Sequence, residues 1–355
     1  MSVATGVILS SCLSVKVFKV LLSIVSITNF ELAILLLISN FVMSEETFTN
    51  TNQTSFESER SLKEFLKWRF TRKQPERIQI ETSDDWKQLE QESKYYAVWV
   101  GHSTYLLNNG DLTILTDPVF SKRASPFSIA GPRRLISPSI SLQELPSIDV
   151  ITVSHNHYDH LDIKSLKSLH KLNPDALFLV PKGDKKLLIK SGIENVEEFL
   201  WWEEMEINNT KFTFTPVQHW SARGLRDRNK SLWGGWFMKS ADISIYHAGD
   251  TGYSADFKET RSRLGSPDFA MIPIGGYDPR WFMSYHHVKP SESIQISQDL
   301  GASNSVGMHW GTFILTDEDI LEPEKLIEQE LKRLDLSKDY FRTPKPGELL
   351  HLPVN

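Results

Sequence analysis

Three histidines and two aspartates fall within the nine residues from Ser154 to Asp162, SHNHYDHLD. Imidazole and carboxylate are the donors that borderline-soft divalent ions accept. The run before them, DVITVS, reads as a buried strand, so the cluster lies on the loop at a strand's carboxyl end, where side chains converge on one point. His155 and His157 can face one ion, while Asp159 and His160, a turn further on, can face a second. The alternative is a chance His/Asp-rich turn that caps the following helix, with Asp162 in the cap.

Three further strands each end in a candidate ligand. KFTFTPVQHW delivers His219, ISIYHAGDTGY delivers Asp250 and SVGMHWGT delivers His309. His155, His157 and His219 form one set, and Asp159, His160 and His309 another, with Asp250 bridging. Two Zn²⁺ sharing a water suit this donor set, because zinc lowers the pKa of bound water to about 7; iron or manganese in one position stays open. Asp117, in LTILTDP, is expected to accept the N–H of a ligand histidine, or else to initiate a turn before Pro118.

The elements that must position these groups begin near Tyr95. Strands are expected at 96–100, 104–108, 112–116, 149–154, 176–180, 211–217, 243–248, 269–274 and 305–309, and helices at 163–172, 184–192, 290–300 and 317–334. Asn109-Gly110 between two apolar runs signals a hairpin. Antiparallel strands followed by buried strand and helix units predict a layered sandwich of sheets with helices outside.

Before this domain lie two different segments. Val20 to Met43 is apolar except for Glu31 and approaches the roughly 20 residues needed to cross a bilayer. It reads as a membrane anchor or interfacial hairpin, or as an appendage absent from the working protein, since Met43 can itself begin a chain. Residues 44–60 are polar and read as a linker, and SLKEFLKWRF has the spacing of a short amphipathic helix carrying Leu62, Phe65, Leu66 and Phe70. The expected organisation is 1–43 apolar segment, 44–93 linker and helix, 94–352 catalytic domain. The chain's 355 residues are 40% apolar, enough for a full core. A net charge of −6 argues against a polyanion-binding protein. One cysteine, Cys12, excludes a disulfide framework and cysteine-built zinc sites.

GHST at Gly101, TDPVFSKRASPFSIAGPRR, SHNHYDHLD, WWEE at Trp201, VQHW, AGDTGY, IGGYDPRWFM, HHVKP and MHWGTF resemble, in order and spacing, the N-acylphosphatidylethanolamine-hydrolysing phospholipase D family of the metallo-β-lactamase superfamily. The resemblance covers about residues 95 to 350. It implies an α/β (α+β) fold, an αβ/βα four-layer sandwich with a di-metal hydrolytic site at one edge. It implies zinc-dependent release of an N-acylethanolamine, leaving phosphatidic acid, with His155, His157, Asp159, His160, His219, Asp250 and His309 as ligands. It also implies a homodimer. The apolar stretch before Met43 departs from the family's polar extension, which puts the mode of membrane attachment in doubt.

The expected mechanism is attack of a metal-bridging hydroxide on phosphorus, in line with the ethanolamine oxygen. Asp159, Asp250 and His287 are the expected catalytic groups, with His287 as proton donor or phosphate contact. His286, adjacent on a segment read as extended, is expected to face solvent. Tyr158, Trp281, Phe282, Met283 and Tyr285 are the candidate substrate- and membrane-binding side chains. Lys122, Arg123, Arg133 and Arg134 can attract anionic headgroups, or simply solvate a loop. The protein is thus expected to be intracellular and membrane-associated, with a membrane lipid and no nucleic acid as partner. A lactonase or nuclease on the same fold, and a metal-bearing lipid binder without turnover, are the competing readings.

Overall fold

Period-two alternation in the first apolar runs sends successive side chains into two separate cores. In β1 (Tyr95–Gly101), Ala97 and Trp99 face inward between the sheets, while Tyr96, Val98 and Val100 face the other way. The pattern repeats in β2 (Thr104–Asn109), β3 (Thr113–Thr116), β4 (Val150–Thr152) and β5 (Leu177–Pro181), where Leu179 points inward and Phe178 and Val180 outward. Both faces are covered, so these strands are apolar almost throughout. With β6 (Val196–Phe199) and the C-terminal β14 (Leu349–His351) they form a seven-stranded sheet in the order β14-β1-β2-β3-β4-β5-β6. The β2–β3 hairpin turns at Asn109-Gly110 as expected, and Gly110 takes φ +95° there.

The second sheet consists of β7 (Glu204–Ile207), β8 (Thr210–Thr215), β9 (Gly235–Lys239), β10 (Ser244–His247), β11 (Phe269–Pro273), β12 (Asn304–Met308) and β13 (Phe341–Arg342), in the order β13-β12-β11-β10-β9-β8-β7. Helices α2 (Ile163–Leu172) and α3 (Lys185–Lys190) bury Leu166, Leu169 and Leu188 on the outer face of the first sheet. On the second sheet lies α6 (Pro290–Leu300), packed against β11, α4 (Asp256–Leu264) and α7 (Glu322–Arg333). This is the αβ/βα four-layer sandwich.

The computed structural model describes residues 47–51, 62–91 and 94–354. The apolar stretch expected to anchor the chain and linker residues 52–60 lie outside the described residues, as do the side chains of Leu62, Phe65 and Leu66. The amphipathic helix forms as α1 (Leu62–Thr71), but Phe70 is exposed and does not join an apolar contact face. Residues 47–51, within the stretch expected to be a linker, pack on the body: Phe48 N–H donates to Asn229 C=O at 2.8 Å, and Asn50 is buried. Among the described residues no helix is long and apolar enough to cross a membrane.

Sequence periodicity missed the sheet edges. β6 (VEEF) and β7 (EMEI) carry glutamates on a half-exposed face, and α4 buries only Asp256, Phe257 and Thr260. The reach of the core into the site is clearest at Trp236 on β9: its indole is fully buried against Phe199 and Phe214 and donates to Val153 C=O at 2.9 Å, next to the metal-type loop. Trp236→Ala is expected to lower unfolding free energy by about 3–5 kcal/mol, the usual range for a buried aromatic. Urea unfolding followed by tryptophan fluorescence checks this.

Candidate metal centre

Five of the strands end at one edge of the sandwich, and their following residues supply the site. Asp117 follows β3, the His155–His160 loop follows β4, His219 follows β8, Asp250 follows β10 and His309 follows β12. His102 joins them from the tight turn between β1 and β2. His102, Asp117 and His309 have φ of 56°, 37° and 62°. Left-handed backbone at non-glycine residues costs about 1–3 kcal/mol each and persists where surroundings over-determine it, commonly at functional sites.

The ligand atoms gather in overlapping groups, each with members within 4.8 Å of one another: His155, His157 and His219 in one, and His102, Asp159, His160 and His309 in another. Asp250 stands between them. Its Oδ2 lies 3.1 Å from His160 Nε2, 3.0 Å from His309 Nε2, 3.9 Å from His155 Nε2 and 4.0 Å from His219 Nε2. All seven sequence-derived candidates are thereby brought together. Sequence reasoning gave His102 no role, although GHST was noted; its Nε2 is 3.0 Å from Asp159 Oδ2.

Polar neighbours fix the rings. Asp117 Oδ2 receives His160 Nδ1–H at 2.7 Å and the Ser154 hydroxyl at 2.6 Å, and its Oδ1 accepts Ser154 N–H at 2.7 Å. His219 Nδ1–H donates to His286 C=O at 3.0 Å, which turns Nε2 toward Asp250. Asp162, as its position suggested, caps α2 by accepting Lys164 N–H.

Whether these residues suit a metal is decided by their unpaired atoms. His157 Nδ1 lies 2.9 Å from His155 Nε2 and 3.3 Å from His219 Nε2, and Asp250 Oδ1 is buried without a hydrogen-bond partner, a costly gathering of lone pairs away from water. Gly276 leaves the open space: a Cβ there would stand 3.1 Å from both His287 Nδ1 and His309 Cε1. A donor set of imidazoles and carboxylates with free lone pairs aimed inward fits divalent cations.

Electrostatics agree. Burial opposes ionisation of Asp250, but the charge of His160, then that of His309, outweighs it and holds the carboxyl well below its usual range. Asp159 behaves likewise, through His160 and a hydrogen bond from His102. Burial also opposes charge on His160, yet Asp250, Asp159 and Asp117 raise it well above the ordinary value. His309 is raised to about 9 against burial, by Asp250 and Asp159. Burial pushes His219 and His287 down to about 3.

Above the ligands opens a cavity of about 950 Å³. His157, Asp159, Asp250, His287 and His309 line its floor, and Trp68, Trp220, Phe282, Met283 and Leu315 its walls, with Arg123, Arg133 and Arg228 among them. Tyr158 lines it too, its hydroxyl donating to Arg223 C=O at 2.8 Å. Several expectations need correction. Tyr285 is only 4% exposed and accepts from Asn50, so it cannot meet a membrane. His286 is buried and lines the cavity with His287, because the segment after α5 (Arg280–Met283) is a helical turn in which His286 and His287 N–H both bond Met283 C=O, not an extended strand. Arg134 donates to Ser121 and Val119 carbonyls and stacks on Phe313, which removes it from headgroup attraction.

Fold and site define a metal-dependent hydrolase of the metallo-β-lactamase type, and the family described as "Beta-lactamase superfamily domain" matches residues 113–310. A solved "possible metal-dependent hydrolase from Veillonella parvula DSM 2008" superposes with a TM-score of 0.59 at 18% identity, covering 73% of this chain and all of that one, which shows the fold. The "N-acyl-phosphatidylethanolamine-hydrolyzing phospholipase D 1" of Caenorhabditis elegans is 41% identical over 280 residues, 76% of this chain and 78% of the relative. The mitochondrial protein so described in Saccharomyces cerevisiae (strain ATCC 204508 / S288c) is 40% identical over 66% of this chain, which spans about half (51%) of the relative's length. The chain belongs to the N-acylphosphatidylethanolamine-hydrolysing phospholipase D family.

Because His160 and His309 hold protons near neutral pH, and an imidazole must be neutral to ligate, loading displaces a proton from each. At pH 7.5 chelator-stripped protein is expected to release protons on zinc addition. The His309 share should vanish as pH passes about 9, and affinity should fall as pH drops. A pH-indicator titration in weak buffer checks this; zinc uptake without proton release at pH 7.5 contradicts it.

Proposed function

We propose that this protein is a zinc-dependent phospholipase D that hydrolyses N-acylphosphatidylethanolamine to an N-acylethanolamine and phosphatidic acid. The observation that carries the reading is the pair of ligand sets meeting at Asp250 on the floor of a cavity of about 950 Å³ whose walls combine apolar side chains with arginines. His155, His157 and His219 would hold one ion, Asp159, His160 and His309 the other, with Asp250 shared. When bound, two Zn²⁺ supply Lewis-acid charge for the phosphoryl oxygens and acidify water.

The chain's own groups do the rest. Asp117 fixes the His160 tautomer by taking its Nδ1–H. His287, pushed down to about 3 chiefly by burial, is neutral at working pH, so it serves better as an N–H donor to a phosphoryl oxygen than as a proton source. Asp159, ionised and lining the floor, would accept a hydrogen bond from the attacking water and orient it. Phe282, Met283 and Trp220 exclude solvent and receive acyl chains, while Arg123 and Arg133 offset phosphate charge at the mouth.

Membrane association follows from the rim. Phe127 and Ile129 are 64% and 86% exposed on the loop whose Ala124, Gly131 and Pro132 line the cavity. Leu225 projects from the loop between the cavity residues Trp220 and Arg228, and Trp281, 52% exposed, adjoins Phe282. Apolar tips on separate loops around one opening, with arginines between them, suit insertion into a lipid surface. The family resemblance also supports a homodimer, which light scattering on the purified chain tests.

Incubating the protein with N-acylated phosphatidylethanolamine in mixed micelles should yield phosphatidic acid, lost with chelator and restored by zinc; mass identification of products decides, and metal analysis separates zinc from iron or manganese. Asp250→Asn should remove metal and activity together. His287→Ala should cut turnover about 10²-fold with metal content unchanged, as for loss of one transition-state donor, so metal loss in that variant would overturn its phosphate role. Replacing Phe127, Ile129 and Leu225 by Ser should weaken vesicle binding at least tenfold while sparing turnover in micelles; unchanged vesicle sedimentation would refute the rim.

A further inference from the structure

Asn50 precedes the first strand by more than forty residues, yet its side chain is 5% exposed and sits beside His219. A carboxamide offers two acceptor lone pairs and two donors, and here all four are used. Oδ1 accepts His219 N–H at 3.1 Å and Trp233 Nε1–H at 2.9 Å. Nδ2 donates to His219 C=O at 2.9 Å and to the Tyr285 hydroxyl at 3.3 Å. One amide therefore satisfies both backbone groups of one residue.

That residue needs the help. β8 ends at Thr215, and although Gln218 still bridges to Gly252, the N–H and C=O of His219 itself find no backbone partner among the described residues. The other end of the clamp holds Tyr285, directly before His286, whose carbonyl accepts His219 Nδ1–H. Asn50 thus grips the His219 backbone and the turn that aims its ring. The segment is itself fastened on both sides, by Phe48 N–H to Asn229 C=O at 2.8 Å and Thr51 Oγ1–H to Asp256 Oδ1 at 2.5 Å.

We propose that Asn50 is a positioning residue for the metal ligand His219, so that the site is incomplete without the segment ahead of the fold's first strand. This rests on the reading of His219 as a ligand. Removing an outer partner of a ligating histidine typically costs about 10–100-fold in metal affinity. In full-length Asn50→Ala, stripped and titrated with zinc against a chromophoric chelator, one of the two affinities should fall by about that factor while the other stays near wild type. Cobalt loading should show a changed absorption band for one ion only. Asn50→Gln keeps both amide functions and displaces them by one methylene. It should fall between the two, and it decides the matter if the alanine variant does not fold.

Wild-type affinities for both ions in the folded variant would overturn the inference. So would an equal loss of both affinities tracking a drop in thermal stability, which marks a merely structural role. His219→Ala separates the two levels: it should lose the same ion that Asn50→Ala weakens. Retention of both ions by His219→Ala would instead sink the ligand reading on which the inference stands.

Discussion

Desolvated charge at Asp250 Oδ2 is the constraint around which the structure is arranged. Five ring nitrogens lie within 3.0–4.0 Å of that one buried oxygen, from His309, His160, His155, His219 and His287. Gathering imidazoles and carboxylates away from water is unfavourable unless positive charge is shared among them. The protein meets the demand in the only two currencies open to it, protons on His160 and His309 or divalent cations, and the two compete for the same lone pairs. The cluster is therefore a poor source of folding stability and a good one of binding specificity. Stability has to come from the rest of the sandwich.

The sandwich provides it by keeping chemistry and packing on different atoms. Between the sheets lie Trp99, Tyr105, Phe214 and Trp236, all fully buried, whereas the ligands occupy only the residues after the strands end. Links between the two regions are few and polar. Trp236 reaches Val153 C=O, Tyr105 reaches Gly307 C=O, and Asp117 ties Ser154 to His160. The first two cross between the sheets, to the residue after β4 and to β12, and the third joins the residue after β3 to the loop after β4. Strained backbone at His102, Asp117 and His309 is held by the same contacts, as where His309 N–H donates to His102 C=O at 3.0 Å.

Legibility in the sequence follows the same division. The candidate ligands were readable because they cluster at the ends of apolar runs, and helices 163–172 and 290–300 were readable because their periodicity is clean. His102 was not, although it too follows an apolar run, because it sits in a short hairpin turn; only that turn, which folds it back over Asp159, gives it meaning. The edge strands β6 and β7 were hidden by glutamates that an edge tolerates and a central strand does not. Tyr285 and His286 differ from expectation for two reasons: Tyr285 groups in sequence with the aromatics of RWFMSY, and the His286–His287 segment reads as extended, whereas the helical turn after Pro279 buries Tyr285 and puts both histidines on the cavity. Asn50 had no legible signal, because a polar residue in a Ser/Thr/Asn-rich stretch looks solvated until its partners appear across the fold.

The cavity carries this reasoning one step further. Its wall is completed by α1, where Trp68 Nε1–H and the Arg72 guanidinium both engage Asp317, Arg72 also donates to the Leu315 and Thr316 carbonyls, and the Trp68 ring packs on Phe282 at 5.6 Å. The sandwich alone would leave that side open to water. Arg72 is only 5% exposed, so separating it from Asp317 would leave a desolvated guanidinium, and α1 is a firmly fastened part of the wall. The segments ahead of β1 therefore act at two depths, Asn50 beside the ligands and α1 at the entrance, so the region that composition marked as the least structured takes part in building the site.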